Sequence, residues 1–279
     1  MNGKICLITG ANSGIGKVAA LELAKLGAKV VMFCRNPKKG VDALAEIKEK
    51  SQNNTVDLMF ADLASLDSVR QFAVDFKAKY KKLHILINNA GVHYPDRKLT
   101  VDGYEAMFAI NHLGHFLLTM LLLDVIKASA PARIINVSSE AHVFGKINFD
   151  DLNLDKKFNE FQAYGRSKLA NIYFTYELAE RLEGTGVTVN CLHPGMVRTN
   201  FQRYSKMVQD AIKKAPPGLL ISPEEGAKTT IYLATSSEVE NVTGKYFENL
   251  KAKKSSRRSY EKDSQQKLWE LSEKLTGLA

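Results

Sequence analysis

The sequence predicts an α/β chain folded as one doubly wound sheet of seven mainly parallel strands with helices on both faces. Two observations carry that expectation. Short apolar runs rich in β-branched residues alternate with helical patterns along the 279 residues, the order of a strand, a crossover helix and the next strand. Several of these runs are apolar throughout, without strict alternation, as strands buried on both faces are. With 45% hydrophobic and 25% charged residues, the composition is that of an ordinary globular protein. A chain of this length buries roughly three quarters of its unfolded surface. Wholesale disorder and fibrous structure are excluded.

In chain order the strands are read at KICLIT, AKVVMFC, TVDLMFA, LHILINN, ARIINVS, VTVNCLH and GKYFEN. Asn36 followed by Pro37 marks the cap and first turn of the helix after the second strand. Ser222, Pro223 and Glu225 form a capping box with proline at its first position. Two stretches interrupt the rhythm, residues 141–162 and residues 196–221. Each follows the carboxyl end of a strand, the edge at which open α/β sheets bind ligands. The second is amphipathic, carries Phe201, Met207, Val208, Ile212, Leu219, Leu220 and Ile221 at roughly helical spacing, and ends its turn in Pro216, Pro217 and Gly218. It is expected to be an apolar substrate lid, hinged at its free end. With no internal repeat and no Gly/Ser linker, residues 1–279 are expected to be a single catalytic domain of Rossmann type, with a C-terminal extension at about 251–279.

Other classes are set aside on composition. The apolar run from Phe116 to Ile126 is shorter than the roughly 20 residues a bilayer core needs, so no membrane span is expected. The opening MNGKICLITG shows no apolar signal region, and the cytoplasm is the expected compartment. Cys6, Cys34 and Cys191 stand singly in apolar runs and read as buried free thiols. The histidines, among them His112, His115, His142 and His193, lack metal-ligand spacing, and no metal is expected. The formal net charge of +9 comes without a nucleic-acid recognition motif. The basic stretch from Lys251 to Arg258 reads as a solvated tail segment that offers, at most, a peripheral contact to an acidic surface.

The chemistry is concentrated in three places. TGANSGIG, Thr9 to Gly16, leads from the first strand into a helix beginning near Ile15. Glycines at 10, 14 and 16 allow a tight turn, the approach of a pyrophosphate and close helix packing, and the helix N-terminus favours an anion. The second strand ends in Cys34-Arg35 where a carboxylate would hold a free ribose 2′-hydroxyl. A guanidinium there suits a 2′-phosphate, so NADP(H) is expected, with Asn36, Lys38 and Lys39 adding to the field. Tyr-x-x-x-Lys places both side chains on one helical face, and it occurs twice. Tyr94 to Lys98 contains Pro95 and cannot hold that geometry. Tyr164 to Lys168 opens a helical run and is the candidate. A lysine charge about 4 Å away at an effective dielectric near 20 is worth about 4 kcal/mol, enough to bring a tyrosine from about 10 to near 7.

Together these motifs resemble the short-chain dehydrogenase/reductase family. The matching elements stand in the family's order: TGANSGIG, Asp62-Leu63, NNAG from Asn88 to Gly91, Asn111, VSS from Val137 to Ser139, YGRSK from Tyr164 to Lys168, and PGMVRT from Pro194 to Thr199. INHLGHFLLT, SAPARIINVSS, SKLAN and LWELSEKLTGL look most like the retinol dehydrogenase branch, although the hydrophobic N-terminal anchor typical of its animal members is not expected here. The resemblance implies Tyr164 as general acid in reduction and base in oxidation. It implies Lys168 as the residue that lowers the tyrosine's pKa and holds the nicotinamide ribose, Ser139 as the hydrogen-bond partner of the substrate oxygen, and Asn111 as the anchor of a relay water. The resemblance also puts Ser139, the second serine of the pair, at the site, and Ser138 reads as a packed strand residue. For the cofactor it implies Gly10, Asn12, Ser13, Gly14, Ile15, Gly16, Arg35 and Asn36 around the phosphates, and Asp62 and Leu63 at the adenine. Asn89, Ala90 and Gly91 would line the adenine-side ribose, and Pro194, Gly195, Val197 and Thr199 would wrap the nicotinamide.

The function expected is an NADP(H)-dependent oxidoreductase acting on a lipophilic aldehyde, ketone or alcohol. The alternative is a non-catalytic NADP-binding sensor on the same fold. A homodimer is expected through the helices around His112 to Lys127 and Gln162 to Arg181, because the first carries more leucine than one buried face needs.

Overall fold

Strand pairing runs β3-β2-β1-β4-β5-β6-β7-β8 in a computed structural model that describes residues 1–198, 209 and 220–279. The strands are β1 Ile5–Thr9, β2 Lys29–Cys34, β3 Asp57–Phe60, β4 Ile85–Asn88, β5 Ala132–Val137, β6 Val187–His193, β7 Lys245–Glu248 and β8 Lys251–Lys253. All neighbours are parallel except β7 and β8. The order reverses between β1 and β4, which opens a crevice at their carboxyl ends. Helices α1 Gly14–Lys25, α2 Pro37–Ser51 and α6 Pro223–Thr235 cover one face. On the other lie α3 Leu66–Lys79, the continuous helix α4 Ala106–Lys127 and α5 Glu160–Arg181.

Pleat alternation divides the core accordingly. Leu7, Val31, Leu86, Ile134 and Val189 point toward α3, α4 and α5, while Cys6, Ile8, Val30, Met32, Ile87 and Leu192 point toward α1, α2 and α6. The capping signals act as read: Asn36 Oδ1 accepts from Lys39 N at 2.9 Å, and Ser222 Oγ from Glu225 N at 3.2 Å. All three cysteines are buried and free.

Two expectations are corrected. The sheet has eight strands among the described residues, not seven. Lys251–Lys253 is an edge strand paired antiparallel with β7, so the basic stretch is solvent-exposed as read but begins as ordered strand. A turn at Asn249 and Leu250, both with positive φ of 49° and 65°, reverses the chain without a glycine. Second, α4 is longer than its apolar run. It is long and apolar enough to cross a membrane by length and composition, and 83% of that window is buried inside the fold. Part of the faces of α4 and α5 is covered from within the chain. Helix α7, Lys262–Leu275, lays Trp269 against Phe116 and Phe174 at ring distances of 5.1 and 6.0 Å. The surplus leucines of α4 meet α3 and the core.

The segment expected as a lid is tied at both ends: Val197 bridges Ile221, Arg198 N donates to Ile221 O at 2.9 Å, and Ile221 N to Met196 O at 3.0 Å. Thr199, Phe201, Met207, Val208, Ile212, Pro216, Pro217, Gly218 and Leu219 lie outside the described residues.

Candidate active site

The glycine-rich turn leaves β1 with Gly10 at φ 69° and Gly14 at φ 53°, backbone regions that favour glycine. A β-carbon on Gly16 would stand 2.4 Å from Asn89 Nδ2 and 2.6 Å from Gly10 O, so the turn closes onto the NNAG segment at contact distance. Ser13 caps α1 with no side-chain hydrogen bond, which leaves the first-turn amides unsatisfied by the cap. This cradle, followed by a helix N-terminus, fits a pyrophosphate. At the end of β2, Arg35 reaches outward, its Nη1 3.8 Å from Asp62 Oδ2, both half exposed. Asp62 Oδ1 accepts from Ala64 N at 3.0 Å. Asn36 spends its Oδ1 on the cap of α2. Leu63 is buried, and its carbonyl lies close against Gly114.

Thr9 and His115 hold the NNAG segment in place, a role that the sequence reading did not assign to either. Thr9 Oγ1 accepts from Asn89 N and Ala90 N, each at 2.9 Å, and lies 2.9 Å from His115 Nε2. Burial pushes His115 down to about 4, so the ring is neutral and works as a hydrogen-bonding spacer. His112 is likewise pushed down to about 3. No cluster with metal-ligating composition exists among the described residues.

The carboxyl end of β5 and the first turns of α5 bring Ser139, Tyr164 and Lys168 together. Ser138 Oγ donates to Lys168 O at 2.8 Å and is buried. Ser139 caps the short turn Glu140–Phe144, and its hydroxyl is hydrogen-bonded with Tyr164. Lys168 is 3% exposed, and its Nζ donates to Val137 O at 3.0 Å. Asn111 sits in a π-helical turn of α4, Ala109–Leu113. Its Oδ1 accepts from Val92 N at 2.8 Å, and its Nδ2 donates to Val92 O at 3.0 Å and Ser167 Oγ at 2.9 Å. The carboxamide is thereby a clamp between the loop after β4 and helix α5. The other tyrosine–lysine pair has Lys98 Nζ 4.7 Å over the Tyr94 ring, on that loop.

One expectation about acidity fails. Lys168 Nζ stands 5.6 Å from the Tyr164 ring centre. Burial pushes the tyrosine above its ordinary value, and the hydrogen bond with Ser139 works in the other direction. The same burial lowers Lys168 to about 8. Holding this lysine charged at pH 7 costs about 3 kcal/mol. Replacing Lys168 by methionine removes that cost and one hydrogen bond worth about 1 kcal/mol. K168M is therefore expected to be about 2 kcal/mol more stable at pH 7 in urea denaturation, although its activity is lost. Between pH 8 and 10 the unfolded lysine still binds a proton that the folded one has released. Wild-type stability should rise across that window, and K168M should lack this rise.

A family model for short chain dehydrogenases matches residues 4–209. The chain belongs to the short-chain dehydrogenase family. Within that family it falls in the retinol dehydrogenase branch. Human retinol dehydrogenase 14 is 45% identical over 294 aligned positions, covering 100% of this chain and 88% of that protein. Human retinol dehydrogenase 13 is 46% identical over 282, covering 99% and 85%. Among solved structures, the Pseudomonas aeruginosa RhlG/NADP active-site complex superposes with a TM-score of 0.72 at 28% identity, over 88% of this chain and 94% of that one. A 3-ketoacyl-(acyl-carrier-protein) reductase from Brucella melitensis complexed with NADH gives 0.69 at 26%, over 88% and 96%. The family is one of oxidoreductases that use a nicotinamide cofactor.

Proposed function

We propose that this short-chain dehydrogenase is an NADP(H)-dependent oxidoreductase that interconverts a lipophilic aldehyde or ketone and its alcohol. The observation that carries the reading is the Ser139–Tyr164 hydrogen bond beside buried Lys168, with Arg35 at the end of β2. The cofactor would be held by the Gly10–Gly16 turn, Arg35, Asp62, Asn89 to Gly91, and Pro194 to Val197. When bound, it supplies or accepts the hydride. Tyr164 Oη gives its proton to the substrate oxygen in reduction and takes it back in oxidation. Ser139 Oγ orients that oxygen, and Lys168 supplies positive charge beside the ribose. Asn111 keeps Val92 and α5 in register. A sensor without catalysis would have no need of all four side chains.

The lipophilic assignment rests on the surroundings of this set. Val143 and Phe144 follow Ser139 on its own short turn and are 49% and 73% exposed. Phe161 precedes Tyr164 and is 44% exposed, as is Met196 beyond β6. Small-molecule sites are mostly apolar with few placed polar groups.

NADPH consumption across a series of aldehydes of increasing chain length tests the substrate class. Efficiency should rise up to about tenfold for each one to two methylenes buried, at roughly 0.8 kcal/mol per methylene. A flat or falling trend overturns the lipophilic reading. Arg35→Ala should weaken NADPH binding about ten- to hundredfold, the worth of a charge-assisted bond, and leave NADH nearly unchanged. Faster wild-type turnover with NADH at equal low concentration would refute the NADP assignment.

A further inference from the structure

Next to the Ser139–Tyr164–Lys168 set lies a second buried pair for which the reaction gives no obvious use. His93, on the loop after β4, sets its ring at 87° to that of Tyr164 with 5.3 Å between centres. Its Nε2 faces Glu160 Oε2 at 3.5 Å, and the two side chains are 5% and 11% exposed. We infer that His93, tied to Glu160, is a positioning residue that holds the Tyr164 phenol for proton transfer. The inference rests on the oxidoreductase reading above.

Three features support it. Glu160 and Tyr164 are four residues apart on α5, so the carboxylate and the phenol share one helical face. A histidine that touches both braces the catalytic ring against the helix that carries it. The loop bearing His93 is itself fixed at its preceding residue. Asn111 binds both backbone groups of Val92 and also Ser167, whose hydroxyl donates to Tyr164 O at 2.7 Å. Finally, Glu160 Oε2 is buried without a hydrogen bond among the described residues, and a buried carboxylate is costly unless it is paired. His93 is the group placed to satisfy it. Phe161 closes another side of the imidazole at 5.9 Å.

Charged and titratable groups approach His93 from two elements among the described residues. Helix α5 presents Glu160 and Tyr164, with Lys168 one turn beyond the tyrosine, and the histidine's own loop presents Tyr94 with Lys98 over its ring. Burial holds His93 below its ordinary value, and Glu160 pulls the other way. The imidazole is accordingly neutral at pH 7, and it gains its proton more easily with Glu160 present than without it.

The test has a spectroscopic arm and a kinetic arm. In protein labelled with 13C at the tyrosine ζ-carbon, the Tyr164 resonance is assigned by its loss in Tyr164→Phe. It should show a step as His93 titrates. The step should vanish in His93→Phe and move to lower pH in Glu160→Gln, because the carboxylate that favours the charged imidazole is gone. In single turnover with NADPH and an apolar aldehyde, His93→Ala should slow hydride transfer about tenfold through misplacement of the phenol, leaving the aldehyde KM and the NADPH Kd unchanged. Glu160→Gln should slow wild type but have no further effect on His93→Ala, as expected of residues that act as a unit. A Tyr164 resonance insensitive to His93, additive rate effects, or a change in KM alone would overturn the inference. Absence of turnover with every carbonyl would overturn the oxidoreductase reading, and the resonance would still decide the positioning role.

Discussion

Tyr164→Phe should lower carbonyl reduction by about a hundred- to ten-thousandfold, the contribution expected of one positioned general acid. NADPH affinity should be retained. The substitution removes the transferable proton and the hydrogen bond with Ser139, and keeps the ring that packs against His93. Because burial holds the phenol protonated well above neutrality, the proton donor is present throughout the physiological range. Reduction should therefore show no loss from tyrosine ionisation up to pH 8, and oxidation, which needs the phenolate, should climb with pH. Stopped-flow loss of NADPH absorbance, paired with fluorescence titration of NADPH binding, separates the two quantities. Comparable turnover in the phenylalanine variant would mean that another group supplies the proton.

The order of strands, the glycine turn and the YGRSK helix were legible because each is written in local sequence. β-branched runs make strands, a turn that needs positive φ takes Gly10 and Gly14, and a four-residue spacing puts Tyr164 and Lys168 on one face. β8 was not legible. Lysine and alanine have weak strand preference, and the turn before it uses Asn249 and Leu250 in a conformation glycine normally occupies. The covering of α4 and α5 by α7 was also hidden, since an apolar stripe reveals that a face is buried and not what buries it. The acidity of Tyr164 was misjudged for a similar reason. Spacing fixes which side chains are neighbours, whereas the desolvation of both groups depends on how tightly β5 and α5 pack. Thr9, His115, His93 and Glu160 complete the site through contacts between residues distant in the chain, apart from the Glu160–Tyr164 turn, and no spacing rule reports those.

Arg166 stands inside the YGRSK motif and yet faces away from the chemistry. It is 1% exposed and pairs through Nη2 with Glu105 Oε2 at 2.9 Å, its partner equally buried. Nη1 donates to Leu152 O at 2.6 Å, which pins the long segment between Ser139 and α5. Glu105 in turn accepts from Met107 N and Phe108 N at 2.9 and 3.0 Å, capping α4. One ion pair thus joins the start of α4, the 141–162 stretch and the helix that carries Tyr164. Removing one member of such a pair leaves the other charge buried, at a cost of about 3–5 kcal/mol. Arg166→Met should therefore lower stability by about that much in chemical denaturation at pH 7. Glu105→Gln should cost less than Glu105→Ala, because its amide oxygen still caps α4. If both partners become uncharged, as in Arg166→Met with Glu105→Gln, much of the loss should be recovered, since no unpaired charge remains. A double variant as unstable as the sum of the singles would show that the two residues act independently, through packing and capping instead of through their charges.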